Sequence, residues 1–226
     1  MKTIYLVANW KSNKTVSEAK DWLSIVSRQL SAIKIPVHVT IILCVPFTVS
    51  AIFQEESNTL QMPIHLGVQN VSQFPSGAYT GEVSAQMLRG LVEYVIVGHS
   101  ERRKYFNETD EMLVKKVEQA KSSGLKIIYC VENDLMSIPV DTDIIVYESF
   151  VVIGSGKPED PATAEVMCHK LKEKNGGKPV LYGGSVTKET VKEFCAQPSI
   201  DGVIVGGASL KSEQFIQLIE AFSSYG

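Results

Sequence analysis

Tyr94-Val95-Ile96-Val97 is followed by a helical stretch, Glu111 to Lys121, and then by Lys126-Ile127-Ile128-Tyr129-Cys130. Two short runs rich in β-branched residues flank a helical pattern introduced by the capping pair Thr109-Asp110, and together they read as one βαβ unit with parallel strands. The alternation continues in both directions. Upstream lie the runs Ile4 to Ala8, Val37 to Leu43 and His65 to Gln69; downstream lie Ile144 to Tyr147, Pro179 to Tyr182 and Gly202 to Val205. Each is four to seven residues of mostly Val, Ile and Leu, the composition of strands covered on both faces. Further helices are expected over Ser17 to Leu30 and, with Pro161 in the first turn, through Ala164 to Lys172. Periodicity alone is shared by a doubly wound open sheet and a closed barrel, but a count of eight favours one α/β domain, a (β/α)8 barrel over residues 1–226.

One connection breaks the pattern. From Glu132 to Asp143 only about a dozen residues, Pro139 among them, join the fifth and sixth runs. That is near the lower limit for a parallel crossover, so the fifth helix is expected to be shortened or missing.

The chain has 226 residues, 44% of them hydrophobic, enough to bury a sizeable core. Its formal charge is -3 and no run of like charges forms a patch, which argues against nucleic acid or a membrane surface as partner and favours a small metabolite. The first apolar run, Ile4 to Ala8, is too short for a signal segment or a membrane span, so a cytoplasmic location is expected. Cys44, Cys130, Cys168 and Cys195 are scattered, as are His38, His65, His99 and His169. Neither set has ligand spacing, so free thiols, no metal and no cofactor are expected.

In a (β/α) barrel the chemistry sits at the carboxyl ends of the strands, and the residues there are informative. After the first run, Asn9 and Lys11 would share one side of an extended chain. They are either a solvated strand end or a lysine and an amide that hold an anion. After the fourth run, His99 precedes a helix start, where Ser100 and the backbone amides would provide the cap. A helix N-terminus disfavours an imidazolium, so His99 would stay neutral and donate a hydrogen bond. Glu101 is placed to pair with a base such as Lys11. After the sixth run, Glu148 follows Ile-Ile-Val-Tyr, where burial can raise a carboxyl towards a useful base. The apolar, glycine-containing stretch Val151 to Gly156 has the composition of a covering loop rather than of an exposed one. The seventh and eighth runs end in Gly183-Gly184-Ser185 and Gly206-Gly207-Ala208-Ser209. Two glycine pairs at these ends favour a backbone phosphate cradle over plain turns.

Taken together, Ala8-Asn9-Trp10-Lys11, Val97-Gly98-His99-Ser100-Glu101-Arg102-Arg103, Tyr147-Glu148 with Ile153-Gly154-Ser155-Gly156-Lys157, Tyr182-Gly183-Gly184-Ser185-Val186 and Val205-Gly206-Gly207-Ala208-Ser209-Leu210 resemble the triosephosphate isomerase family. Cys44-Val45-Pro46-Phe47, Gly67-Val68-Gln69-Asn70 and Gly77-Ala78-Tyr79-Thr80-Gly81-Glu82 extend the likeness in the right order. The resemblance implies a TIM barrel and an isomerase of glycolysis and gluconeogenesis that interconverts dihydroxyacetone phosphate and D-glyceraldehyde 3-phosphate through an enediolate. It implies Glu148 as base, His99 as electrophile, and Asn9 and Lys11 on the substrate. Phosphate would lie on Gly154, Ser185, Gly206 and Gly207, Tyr182 would latch the covering loop, and Ile153 and Leu210 would press on the base. A homodimer through the loop Gly77 to Glu82 is also implied. The chain departs from the family at Ser149-Phe150-Val151, where Pro-Val-Trp is usual, and at Val131-Glu132, where a glycine normally precedes the glutamate. Another phosphate-binding barrel isomerase, or a non-catalytic barrel that senses a phosphorylated metabolite, are the alternatives.

Overall fold

The computed structural model describes residues 2–149 and 159–223. Eight parallel strands, β1 (Ile4–Asn9), β2 (Val39–Val45), β3 (His65–Val68), β4 (Tyr94–Val97), β5 (Lys126–Val131), β6 (Ile144–Glu148), β7 (Val180–Gly183) and β8 (Gly202–Val205), pair in chain order. β8 returns to β1, with Tyr5 opposite Gly202 and Ala8 opposite Val205, so the sheet is a closed barrel and the open-sheet alternative is excluded. Helices α1 (Val16–Leu30), α2 (Phe47–Thr59), α3 (Ala85–Leu88), α4 (Ser100–Phe106), α5 (Asp110–Ser122), α6 (Pro161–Lys174), α7 (Val191–Cys195) and α8 (Ser212–Ser223) lie along the chain between and after the strands.

Local signals explain the boundaries. α1 opens with a capping box in which Thr15 accepts from Glu18 N–H and the Glu18 carboxylate accepts from Thr15 N–H. Thr109 caps α5 by accepting from Met112 N–H. β2 starts two residues later than its apolar run, because residues 37–38 form a turn closed by Val39 N–H donating to the Pro36 carbonyl at 2.9 Å.

Period-two alternation splits the core into two shells. Val7, Ile42, Ile96, Ile128, Val146 and Leu181 fill the barrel interior. Residues of opposite parity, such as Leu6, Ile41 and Ile145, pack under the helices. Below the end of β1, Trp10 meets Trp22 and Phe53 edge-on at 5.0 and 5.2 Å, and Trp22 reaches Phe215 at 5.2 Å. This aromatic group joins α1, α2 and α8 to the strand end that carries Asn9 and Lys11.

Between β5 and β6, residues 132–143 form turns with no helix among them. Met136 and Ile138 cover the barrel there, while Leu135 and Val140 stand exposed. Asp143 accepts Ile127 N–H at 2.8 Å, and the Lys178 ammonium donates to the Thr142 carbonyl at 2.6 Å, so side chains close the gap. Glu108, between α4 and α5, has a side chain only 2% exposed. It accepts from Arg102 Nε at 2.6 Å and from Lys116 Nζ, and Lys116 donates onward to Asn70 Oδ1 at 2.6 Å. Burial pulls the Lys116 ammonium below its ordinary pKa against the opposing pull of Glu108. Among the described residues no helix is long and apolar enough to cross a membrane.

Candidate active site

The alternation along β6 aims its last residue. Ile144 and Val146 point into the barrel and Tyr147 points out, so Glu148 is the next inward position, at the carboxyl end of the strand. It is 5% exposed and fully engaged: Ser100 N–H donates to Oε2 at 2.8 Å, Ser100 Oγ to Oε1 at 3.3 Å, and His99 Nε2 lies 2.9 Å from Oε1. Burial pushes this carboxyl up, but the hydrogen bonds from His99 and Ser100 outweigh it and hold the pKa below the ordinary 4.5. The expected rise from burial is therefore corrected, because a buried anion that receives several donors is stabilised as the anion.

His99 is itself the N-cap of α4. Its Nδ1 accepts from Glu101 N–H at 3.2 Å, which assigns the proton to Nε2. Ser100, expected to cap the helix, instead spends its amide and hydroxyl on Glu148. The turn that permits this is at Gly98, whose φ of +76° suits glycine and whose missing Cβ would lie 3.1 Å from the Arg103 guanidinium. Arg103 donates to the Gly98 carbonyl at 3.0 Å and fixes the loop from outside.

Asn9 and Lys11 do meet at the site, though not by strand alternation. β1 ends at Asn9, and Lys11 adopts a left-handed φ of +52° while donating its N–H to Asn9 Oδ1 at 3.0 Å. A non-glycine residue held in that region costs about 1–3 kcal/mol and marks a backbone constrained for another purpose. The Lys11 ammonium is then placed 2.6 Å from Glu101 Oε1, with both side chains about a third exposed.

Asn9, Lys11, His99 and Glu148 line one cavity of about 600 Å³ together with Ser185, Gly206 and Gly207. The last of these opens a short 3-10 turn, Gly207–Ser209, tied by Ser209 Oγ donating to the Gly206 carbonyl at 2.6 Å. Tyr182 stands behind the cavity, stacked on Phe194 at 4.2 Å, and its hydroxyl accepts Glu159 N–H at 2.9 Å. Leu210 packs against the outer shell rather than lining the cavity. Ile153, Gly154 and the altered segment from Phe150 lie outside the described residues. Sequence reading missed Ser100 as the partner of Glu148 and missed the outer wall formed by Thr187, Lys188, Gln214 and Gln217. No motif flags that wall, since it depends on how α8 lies beside the loop after β7. Among the described residues no group of three His, Cys, Asp or Glu side chains is placed to hold a metal ion.

Comparison with known proteins bears on the family of the chain as a whole. A profile of the family described as Triosephosphate isomerase matches residues 4–138 and 133–222, its two segments meeting inside the helix-free β5–β6 connection. The triosephosphate isomerase of Mesomycoplasma hyorhinis is 37% identical over 242 residues, covering 96% of this chain and 98% of the relative. That of Synechococcus sp. (strain JA-3-3Ab) is 38% identical over 244 residues, covering 97% and 95%.

Proposed function

The chain belongs to the triosephosphate isomerase family, and from that membership we propose that it interconverts dihydroxyacetone phosphate and D-glyceraldehyde 3-phosphate with Glu148 as general base and His99 as neutral electrophile. The observation that carries the assignment is the meeting of a buried carboxylate and an imidazole Nε2 at 2.9 Å on the wall of a cavity that also presents the Lys11 ammonium. With substrate in place, Glu148 leaves Ser100 and removes the proton from the carbon beside the carbonyl. It returns that proton to the neighbouring carbon. His99 Nε2–H and Lys11 face the oxygens on which negative charge develops, with Glu101 holding Lys11 in position. Backbone N–H groups at Ser185, Gly206 and Gly207 hold the phosphate, as the last two loops of such barrels do.

General-base catalysis contributes about 10² to 10⁴ in rate and one preorganised oxyanion donor about 3 to 4 kcal/mol, so neither suffices alone. An assay that couples glyceraldehyde 3-phosphate isomerisation to a reductase tests the reading. Turnover of triose phosphate is expected, and binding of phosphorylated sugars without turnover would leave only the sensor alternative.

The homodimer is a second part of the proposal. In the loop Gly77 to Glu82, Tyr79 stacks on Phe74 at 4.4 Å, and both rings are more than a third exposed. Exposed stacked aromatics on a protruding loop suit a partner's surface. Sedimentation at micromolar concentration is expected to give twice the 24.9 kDa chain mass; a fully active monomer would refute it.

A further inference from the structure

The chain has two tryptophans, and both lie in the aromatic group beside the end of β1. On α1 the buried residues Ala19, Trp22, Leu23, Val26 and Leu30 recur at helical spacing, so one stripe of the helix faces the barrel and Trp22 sits within it. Packing alone would be served by any large apolar side chain there. The indole adds a donor: Trp22 Nε1–H donates to the Ser209 carbonyl at 3.2 Å, across 187 positions of sequence. Trp10, edge-on to it, shows that this cluster does not satisfy an indole by default, since its Nε1 is buried without a partner among the described residues. Ser209 is fully buried and ends the 3-10 turn that starts at Gly207. Neither Trp22 nor Ser209 lines the cavity, whereas Gly206, Gly207 and Ala208 do.

We propose that Trp22 is a positioning residue for the phosphate cradle: from behind the loop after β8 it holds the Ser209 carbonyl, and so keeps the amides of Gly206 and Gly207 turned to the cavity. This rests on the isomerase reading above, which makes those amides phosphate ligands. In a trans peptide the C=O and N–H point in opposite directions. A loop that offers N–H groups to a ligand therefore turns carbonyls away from it, into the protein, where each needs a donor. The Gly206 carbonyl accepts from Ser209 N–H at 2.9 Å and from Ser209 Oγ at 2.6 Å, the Gly207 carbonyl from Leu210 N–H at 3.1 Å, and the Ser209 carbonyl from Trp22. The first three bonds close the turn on itself. The fourth ties it to α1, and the ring that makes it is held by Trp10 at 5.0 Å and Phe215 at 5.2 Å.

The test compares the full chain as wild type, Trp22→Phe and Phe53→Leu, with inorganic phosphate titrated by phosphorus NMR and kinetics from the coupled isomerase assay. Trp22→Phe keeps an aromatic ring and removes the donor. Phe53, whose ring is 6.0 Å from that of Trp22, is the packing control, since its replacement leaves the donor in place. Phosphate affinity in Trp22→Phe is expected to fall about threefold to tenfold, the worth of one hydrogen bond, with KM rising in step and kcat within about twofold, the signature of lost uniform binding. Phe53→Leu should lose stability and keep its phosphate affinity. Unchanged phosphate affinity in Trp22→Phe, an equal loss in Phe53→Leu, or a loss confined to kcat would overturn the proposal. Should Trp22→Phe fail to fold, the wild type still answers: its Trp22 indole N–H resonance should shift as phosphate fills the cradle, and a resonance that stays in place would sink the idea. The titration needs no turnover, so a wild type that binds phosphate but is inactive refutes the isomerase reading alone. An active wild type whose Trp22→Phe variant binds phosphate unchanged refutes this proposal alone.

Discussion

Glu148→Gln is expected to lower kcat by about 10² to 10⁴ while leaving phosphoglycolate affinity within a few fold, because the phosphate ligands belong to other loops. Glutamine keeps the shape of the side chain and can still accept from Ser100, so the fold should survive the change. Steady-state kinetics beside inhibitor titration checks both halves of the expectation, and a variant that keeps more than about a tenth of wild-type kcat would rule out Glu148 as the base. The pH dependence follows from the same contacts. The Glu148 carboxyl is held below 4.5 in the free protein, so kcat/KM, which reports the free enzyme, should hold its plateau down to that region and fall only at lower pH. The sign for stability agrees: a depressed carboxyl contributes stability above its unfolded pKa, and that contribution is lost as pH falls through the folded value. An acid limb in kcat/KM well above pH 4.5 that disappears in Glu148→Gln would show instead that burial outweighs the donors.

The second large effect concerns stability. Glu108→Ala should destabilise the protein by about 3 to 5 kcal/mol, because it strands the Arg102 guanidinium and the buried Lys116 ammonium without their common carboxylate. For a chain of this size that corresponds to a fall in Tm of about 6 to 20 °C. Glu111→Ala is the control. It removes the exposed i,i+4 pair with Lys115 and should leave Tm nearly unchanged, since solvent screens that pair. Calorimetry on the three proteins separates the cases: equal melting temperatures for Glu108→Ala and wild type would mean that Lys116 finds compensation in Asn70 alone.

What the sequence determined by itself was the order of events along the chain. Short Val/Ile/Leu runs at regular intervals state that eight strands are covered on both faces, and the residues after each run place Asn9, Lys11, His99, Glu148, Ser185, Gly206 and Gly207 at strand ends. The twelve-residue connection from Glu132 was legible too, because chain length alone limits what can fit there. Closure was not legible, since an open sheet and a barrel share the same periodicity, and only the pairing of β8 with β1 separates them. Nor was the use of each polar group. Ser100 reads as a cap until Glu148, 48 residues away, comes within 2.8 Å of its amide. Lys11 reads as a strand-end residue until its left-handed turn is seen, and Glu148 reads as a carboxyl raised by burial until its donors are counted. The physical reason is common to all three. Period and propensity act over a few neighbours in the chain, whereas the protonation and partners of a buried polar group depend on the sum of desolvation and hydrogen bonds from strands that only tertiary folding brings together.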